Sequence, residues 1–149
     1  LRKATSELSE IFEGSFKLVI PASEGGIKKV TRVILCSGRV YYDLIEHQET
    51  AGLKNTAIIR IEQLYPFPAD ELKKALLPYE HIQKIIWCQE EPKNQGAWLA
   101  IRAELENCLT NKQILQYVGR PEAASTAAGY KKLHEKEREA FLQQAFLEG

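Results

Sequence analysis

The short motif Ser37-Gly38-Arg39 is a candidate for binding a phosphate group. It follows the apolar run 31–36 directly and precedes a segment with helical spacing. Free backbone N–H groups at the start of a helix, together with a hydroxyl and a guanidinium, suit a phosphate. The structural alternative is a tight strand-to-helix turn in which Ser37 caps the helix. Because so short a motif often occurs by chance, the residues alone favour the turn.

Arg60 is a second candidate for chemistry because it lies inside another apolar run, 56–61. A charge within a strand must be paired or must serve a ligand. Glu62 stands two residues further on and offers a partner, and Gln63 opens a stretch that contains two prolines and two aromatic residues. The sequence leaves both interpretations open, an internal ion pair and a ligand site.

The segment 89–98 is a candidate for contact with another surface. Its two adjacent acids point in different directions, so they do not form a pair for acid–base catalysis. Asn94 and Gln95 lead into Gly96, which permits close approach of the backbone, and then into Trp98, a typical interface anchor. The alternative is that Trp98 fills the core of its own domain.

The cysteines and histidines predict no metal site. The three cysteines, Cys36, Cys88 and Cys108, are widely spaced without a CxxC motif, and the three histidines are scattered. Cys36 ends an apolar run, and no partner base can be identified, so it is not expected to be a nucleophile. Free thiols of this kind fit a reducing, intracellular compartment.

The composition indicates one globular domain without affinity for nucleic acid or membranes. A chain of 149 residues has room for one core. Its 20 basic and 20 acidic residues cancel, which leaves no basic surface for nucleic acid or anionic lipid. No apolar run reaches the roughly 18 residues that span a bilayer. Because the chain contains no methionine and begins at Leu1, we expect a fragment of a longer protein.

Strands and helices are predicted to alternate along most of the chain. The apolar or β-branched runs 31–36, 56–61, 84–89 and 113–117 predict strands, and helical spacing follows Gly38, Pro68 and Gly96. This order predicts a parallel sheet with helices on both faces. A charged helix is predicted from residue 130 to about 147, with apolar positions at Leu133, Ala140, Phe141 and Ala145.

The N-terminal stretch departs from this pattern. Residues 6–12 predict a helix, and 16–20 (FKLVI) predict a strand that joins the edge of the sheet in the antiparallel direction. The segment 119–129 is rich in small residues, which suit either close packing or a surface loop.

Taken in order, the loop motifs are specific. The series CSGRVYYDL (36–44), AIIRIEQLYPFP (57–68), WCQEEPKNQGAW (87–98) and YVGRPEAASTAAGY (117–130) resembles the C-terminal region of the thiamin-diphosphate-dependent decarboxylating component of 2-oxoglutarate dehydrogenase. The leading segment, LRKATSELSEIFEGSFKLVI, is similar to that family at the join from its preceding domain. The resemblance therefore covers essentially the whole chain.

The resemblance implies a fold and an activity. The fold is α/β, a three-layer α/β/α domain of the transketolase C-terminal type, with a mostly parallel five-stranded sheet and one antiparallel strand. Residues 1–26 would be a linker and edge strand from the preceding domain, and 27–149 the domain itself. The parent enzyme would be a homodimer of the tricarboxylic acid cycle that decarboxylates 2-oxoglutarate and passes the succinyl group to a lipoyl-bearing dihydrolipoyl succinyltransferase. Lipoamide dehydrogenase would be the further component.

The resemblance also implies which residues carry which role. Thiamin diphosphate and magnesium would bind upstream, so the chain holds no catalytic or metal-binding residue and is expected to be inactive alone. Matching residue by residue places Ser37, Arg39, Arg60 and Gln63 at a regulatory site for acetyl-CoA or AMP. Arg39 stands where related sequences often have lysine, which keeps the charge and changes the contact geometry.

The remaining expectations concern assembly and location. The loop residues Asn94, Gln95, Gly96 and Trp98 are predicted to contact a second subunit. The parent would work in a bacterial cytoplasm, or in the mitochondrial matrix if eukaryotic. Two other interpretations compete, a stand-alone nucleotide-binding module and a purely structural assembly domain.

Overall fold

A five-stranded sheet with the order β1-β3-β2-β4-β5 forms the centre of the computed structural model, which describes residues 16–22, 27–124 and 131–147. The strands are β1 Val19–Ile20, β2 Arg32–Cys36, β3 Thr56–Ile61, β4 Lys84–Pro92 and β5 Ile114–Arg120. The helices are α1 Val40–Thr50, α2 Ala69–Leu76, α3 Trp98–Cys108 and α4 Lys131–Phe146, with 3-10 turns at Ile27–Lys29 and Leu77–Tyr79.

The pairing of the strands confirms the predicted fold class. β2 pairs in parallel with β3 and β4, and β4 pairs in parallel with β5. β1 is antiparallel to β3, with Val19 opposite Ile61. The predicted edge strand therefore exists, but it is reduced to two residues. The helix predicted at 6–12 and the second part of the small-residue stretch, 125–129, lie outside the described residues.

The sheet buries both of its faces, which explains why its strands read as continuous apolar runs. Side chains from one face of the strands pack against α2 and α3, and the largest of them are Leu35, Ile59, Ile61, Ile85 and Trp87. Side chains from the other face pack with α1 and α4, among them Ile34, Ile58, Ile86 and Val118, and α4 contributes Phe141 to this cluster. Strand and helix together thus form the three layers that the sequence predicted.

The helices follow their sequence signals closely. α3 buries Trp98, Ile101, Leu105 and Cys108, the apolar stripe that its spacing predicted. α2 carries acids in its first turn and lysines in its last, in agreement with the helix dipole. α4 departs in one respect, because Ala140 is exposed while Leu142 is buried beside Phe141. No helix among the described residues has the length and apolarity to span a bilayer.

The parallel strands place all the candidate loops at one edge of the sheet. β2 to β5 end at the same edge, Arg60 lies near the end of β3, and the segments that follow β2, β3 and β4 contain the other predicted site residues. Gly38 and Gly96 adopt positive φ values of 68° and 67° in two of these turns. Such angles favour glycine, because a side chain would strain the backbone there.

Candidate functional site

Arg60 is the centre of a polar cluster at the carboxyl edge of the sheet. It lies at the end of β3, directly beside Cys36 of β2. Its Nη1 donates a hydrogen bond of 2.9 Å to the hydroxyl of Tyr42, and its guanidinium carbon lies 4.6 Å from the ring centroid of Tyr41. Its Nε forms an ion pair with Glu62. The charge within the strand is therefore paired, stacked and hydrogen-bonded at once.

The electrostatics of the cluster keep Arg60 charged. The side chain of Arg60 is 15% exposed and that of Glu62 is 27% exposed. Burial lowers the pKa of the guanidinium, but the hydrogen bond to Tyr42 and the charge of Glu62 offset this, so the pKa of Arg60 is raised. Burial also raises the pKa of Tyr41, which stays a neutral phenol beside the cation. The cluster is a permanent positive centre with one internal counterion.

Ser37 and Arg39 form the turn between β2 and α1. The N-cap position of α1 belongs to Arg39, and no side chain caps this helix. The tight turn of the structural alternative is therefore present, but the capping of the helix by Ser37 is not. Within the described residues the Ser37 hydroxyl forms no hydrogen bond, and the Arg39 side chain is exposed. Because Ser37 follows Cys36, which pairs with Arg60, the turn adjoins the Arg60 cluster.

Gln63 has a structural role in its own loop. Its Nε2 donates a hydrogen bond of 2.8 Å to the carbonyl of Pro66, and its backbone N–H donates one of 3.3 Å to Leu18. The side chain thus holds the turn after β3, which presents Tyr65 with 91% exposure. Its amide oxygen is available to a ligand, because no described residue donates a hydrogen bond to it.

The structure adds two residues to this site that the sequence did not single out, Tyr41 and Tyr42, and it shows the Arg60–Glu62 pair that the sequence had left open. The signal was an aromatic pair in the first turn of the helix that follows the SGR motif. Tyr41 and Tyr42 pack edge to face, with ring centroids 5.4 Å apart. Eighteen positions separate Tyr42 from Arg60, so the contact depends on how α1 packs on the sheet.

A buried amide organises the third candidate loop. The Oε1 of Gln89 accepts hydrogen bonds of 3.0 Å from the indole of Trp87 and from the backbone N–H of Trp98. Its Nε2 donates to the carbonyls of Gln95, at 2.7 Å, and Pro92, at 3.1 Å. A side chain with 3% exposure therefore fixes the path of the chain from β4 to α3.

The polar residues of this loop, which we call the β4–α3 loop (residues 93–97), bind within their own chain. The side chain of Asn94 both donates to and accepts from the backbone of Ala123, at 3.0 and 3.1 Å. Gln95 donates to the same carbonyl at 2.9 Å. The loop is thereby tied to the segment after β5. Contact between these residues and a second subunit stays a prediction.

Trp98 packs in the core of its own domain, as the structural alternative had it. It is 5% exposed, and its ring centroid lies 5.3 Å from that of Tyr117. Gly96 is exposed, yet a Cβ there would lie 2.9 Å from the Cβ of Glu91, so the turn has no room for a side chain. The accessible apolar residue at this place is Leu99, which is 66% exposed.

The thiols are unsuited to nucleophilic chemistry. Cys36, Cys88 and Cys108 are all free and buried. Burial raises the pKa of Cys36 well above its ordinary value and that of Cys88 to about 12, so both are protonated at neutral pH. Within 16–22, 27–124 and 131–147, no group of three or more His, Cys, Asp or Glu could hold a metal ion.

A cavity of about 320 Å³ lies between α1 and the first half of β3. Its walls include Tyr41, Ile45, Gln48, Leu53, Thr56 and Ile58. None of the four predicted nucleotide-site residues lines it. It meets the Arg60 cluster only through Tyr41, so we treat the two as separate features.

Comparison with known proteins identifies relatives over nearly the whole chain. The family described as 2-oxoglutarate dehydrogenase C-terminal matches residues 5–146. The chain is 48% identical over 143 residues to the 2-oxoglutarate dehydrogenase E1 component of Haemophilus influenzae, which covers 95% of this chain and 15% of that protein. It is 52% identical over 145 residues to the protein of that name from Coxiella burnetii, with 95% and 16% covered. For Azotobacter vinelandii the identity is 42% over 149 residues, with 97% and 16% covered. The chain thus spans about a sixth of the length of these relatives.

Proposed function

The chain belongs to the 2-oxoglutarate dehydrogenase C-terminal family, and we propose that it works as the C-terminal domain of a 2-oxoglutarate dehydrogenase E1 component. The observation that carries this proposal is the match over residues 5–146 together with 42–52% identity to three such components. The parent enzyme would decarboxylate 2-oxoglutarate with thiamin diphosphate and magnesium, bound outside this chain. Succinyl transfer to the lipoyl-bearing succinyltransferase would follow, with lipoamide dehydrogenase as a further partner, in a bacterial cytoplasm.

The enzyme proposal is tested on the full-length protein that carries this chain. We expect it to release carbon dioxide from 2-oxoglutarate when thiamin diphosphate and magnesium are supplied, and the 149-residue chain to release none under the same conditions. Blotting a lysate of the source organism with an antibody against this chain gives the native size. A band at the 16.9 kDa of the chain itself would contradict the proposal and favour a stand-alone module.

Within that enzyme, the proposed role of the carboxyl edge is to bind a regulatory nucleotide, acetyl-CoA or AMP, through its phosphates. Support comes from Arg60, a cation that burial does not neutralise, at the end of a parallel strand. The neighbouring turn adds the Ser37 hydroxyl and the exposed Arg39 guanidinium. Gln63 would contribute its amide oxygen, since its amide nitrogen is bonded to Pro66.

The nucleotide site is tested by calorimetric titration of the full-length protein with AMP and with acetyl-CoA. Arg60→Ala should weaken binding of at least one of them by roughly tenfold or more, because charge-assisted phosphate contacts are worth about 1.5–3 kcal/mol. Arg60→Lys keeps the charge and removes the planar fork, so a smaller loss is expected. The matched control is Arg102→Ala, which removes a guanidinium from α3 with 59% side-chain exposure. Equal affinities in all four proteins would contradict the site.

The second proposed role is assembly of a homodimer, with the β4–α3 loop and the start of α3 at the contact. Support comes from the ordered loop, held by Gln89 and Ala123, and from the exposed Leu99 that follows the buried Trp98. Asn94, Gln95 and Gly96 would then shape the contact surface. Trp98 would not contact the second subunit directly but would hold this surface in place, because its ring packs in the core of the domain.

A further inference from the structure

The Arg60 cluster already contains an anion where the proposed nucleotide would place its phosphate. Glu62 is paired with Nε of Arg60, and both side chains are largely buried, with 15% and 27% exposure. A ligand anion and this carboxylate would compete for the same guanidinium. We propose that Glu62 is an internal counterion that a phosphate group must displace from Arg60. The inference deepens the proposed nucleotide site and rests on it.

The donors of Arg60 define where this competition occurs. Nη1 is bonded to the hydroxyl of Tyr42, and Nε forms the ion pair with Glu62 without a hydrogen bond between them. Among the described residues, Nη2 has no hydrogen-bond partner. A phosphate binds a guanidinium best through two adjacent donors of the planar fork. Because Nε and Nη2 form one edge of that fork, the Glu62 carboxylate lies beside the edge that a phosphate would use.

Tyr41 and Tyr42 keep the guanidinium in place while the anions exchange. The guanidinium carbon lies 4.6 Å and 5.4 Å from their ring centroids, and the Tyr42 hydroxyl fixes Nη1. These contacts are with neutral groups and do not depend on Glu62. Arg60 therefore does not have to move when its counterion changes, and only the Glu62 side chain has to rotate away.

The competition with Glu62 also determines how much negative charge a ligand needs in order to bind Arg60. Glu62 carries one negative charge and needs no association step, so a ligand with a single carboxylate gains little by replacing it. A phosphate monoester carries nearly two charges at neutral pH and three acceptor oxygens, so it outcompetes the carboxylate. The site would thus favour phosphate monoesters over ligands that carry a single carboxylate.

The test is calorimetric titration of the full-length protein and its Glu62→Gln variant with AMP. Glutamine keeps the size of the side chain and the backbone hydrogen bond from residue 62 to Leu18. It removes the ion pair and the repulsion of the phosphate, so we expect AMP to bind roughly fivefold more tightly, as for an ion pair of about 1 kcal/mol. Adenosine, which has no phosphate, should bind equally to both proteins.

The matched control is Glu80→Gln, which makes the same change of charge at an exposed position before β4, far along the sheet from Arg60. Tighter AMP binding by Glu62→Gln, but not by Glu80→Gln, supports the proposal. This holds also when the parent protein binds AMP too weakly to measure. If Glu62→Gln binds AMP equally or more weakly than the parent protein, and Arg60→Ala abolishes AMP binding, the proposed competition is wrong. The nucleotide site itself is then still supported. Absence of AMP binding in both the parent and Glu62→Gln overturns the inference for AMP. If acetyl-CoA also fails to bind, the proposed nucleotide site is wrong as well.

Discussion

At the residue scale, the carboxyl edge is ordered by side chains that make several polar contacts each. Gln89 accepts two hydrogen bonds from tryptophan N–H groups and donates to the backbone of the loop that leads into α3. Arg60 combines an ion pair, a hydrogen bond and two aromatic contacts. Polar groups buried in this way stabilise one arrangement of the backbone, because a partner lost in the interior is not replaced by water.

Because Gln89 makes several buried hydrogen bonds, we expect Gln89→Leu to lower the free energy of unfolding strongly. Leucine has a similar size but leaves the indole N–H of Trp87 and the backbone N–H of Trp98 without their acceptor. Each buried donor that loses its partner costs about 1–3 kcal/mol, so we expect the free energy of unfolding to fall by about 3 kcal/mol. Urea denaturation of the chain, followed by tryptophan fluorescence, measures this.

The control for that prediction is Gln116→Leu, the same change at an exposed position of β5. It should shift the free energy of unfolding by less than about 0.5 kcal/mol. Equal shifts in the two variants would mean that the Gln89 contacts do not stabilise the fold.

At the element scale, α4 is attached to the domain by charges as well as by its apolar face. Arg138 forms a bidentate pair with Asp43 of α1, at 2.6 and 3.1 Å. Glu137 accepts a hydrogen bond of 2.7 Å from the buried Arg120 of β5. Arg32 of β2 donates to the carbonyl of Ala145 in the last turn, where a cation also complements the helix dipole. The helix is therefore tied to three other elements.

We expect Arg138→Lys to loosen this attachment. Lysine keeps the charge but cannot form the two parallel hydrogen bonds to Asp43, whose side chain is only 11% exposed. The free energy of unfolding should fall by about 1 kcal/mol, and limited proteolysis should cut near α4 sooner. Arg102→Lys is the control, because its partner Glu106 is exposed and such pairs contribute about 0.3–0.5 kcal/mol. Identical losses in the two variants would count against a structural role for the Arg138 pair.

At the scale of the whole molecule, sequence patterns predicted the sheet and its layers better than the site. Continuous apolar runs such as 56–61 indicated strands buried on both faces, and the positive φ at Gly38 and Gly96 fits their place in the turns. Whether Arg60 was paired and whether Trp98 was internal stayed open, because both depend on side-chain contacts between distant segments. The contact of Arg60 with Tyr42 and that of Asn94 with Ala123 are of this kind. Helical and strand periodicity do not encode such contacts.

The assembly proposal makes a prediction at this same scale. Leu99→Asp places a charge on the exposed start of α3, where an acid suits the helix dipole and should not disturb the fold. If Leu99 lies at the dimer contact, the dissociation constant of the full-length dimer should rise by roughly tenfold or more, since a buried charge without a partner is costly. Analytical ultracentrifugation measures the dissociation constant. Leu77→Asp is the control, because Leu77 is similarly exposed, at 60% against 66%, but lies in the 3-10 turn after α2. A dimer weakened by neither change would remove α3 from the contact, whereas weakening by Leu99→Asp alone would place the subunit interface beside the β4–α3 loop.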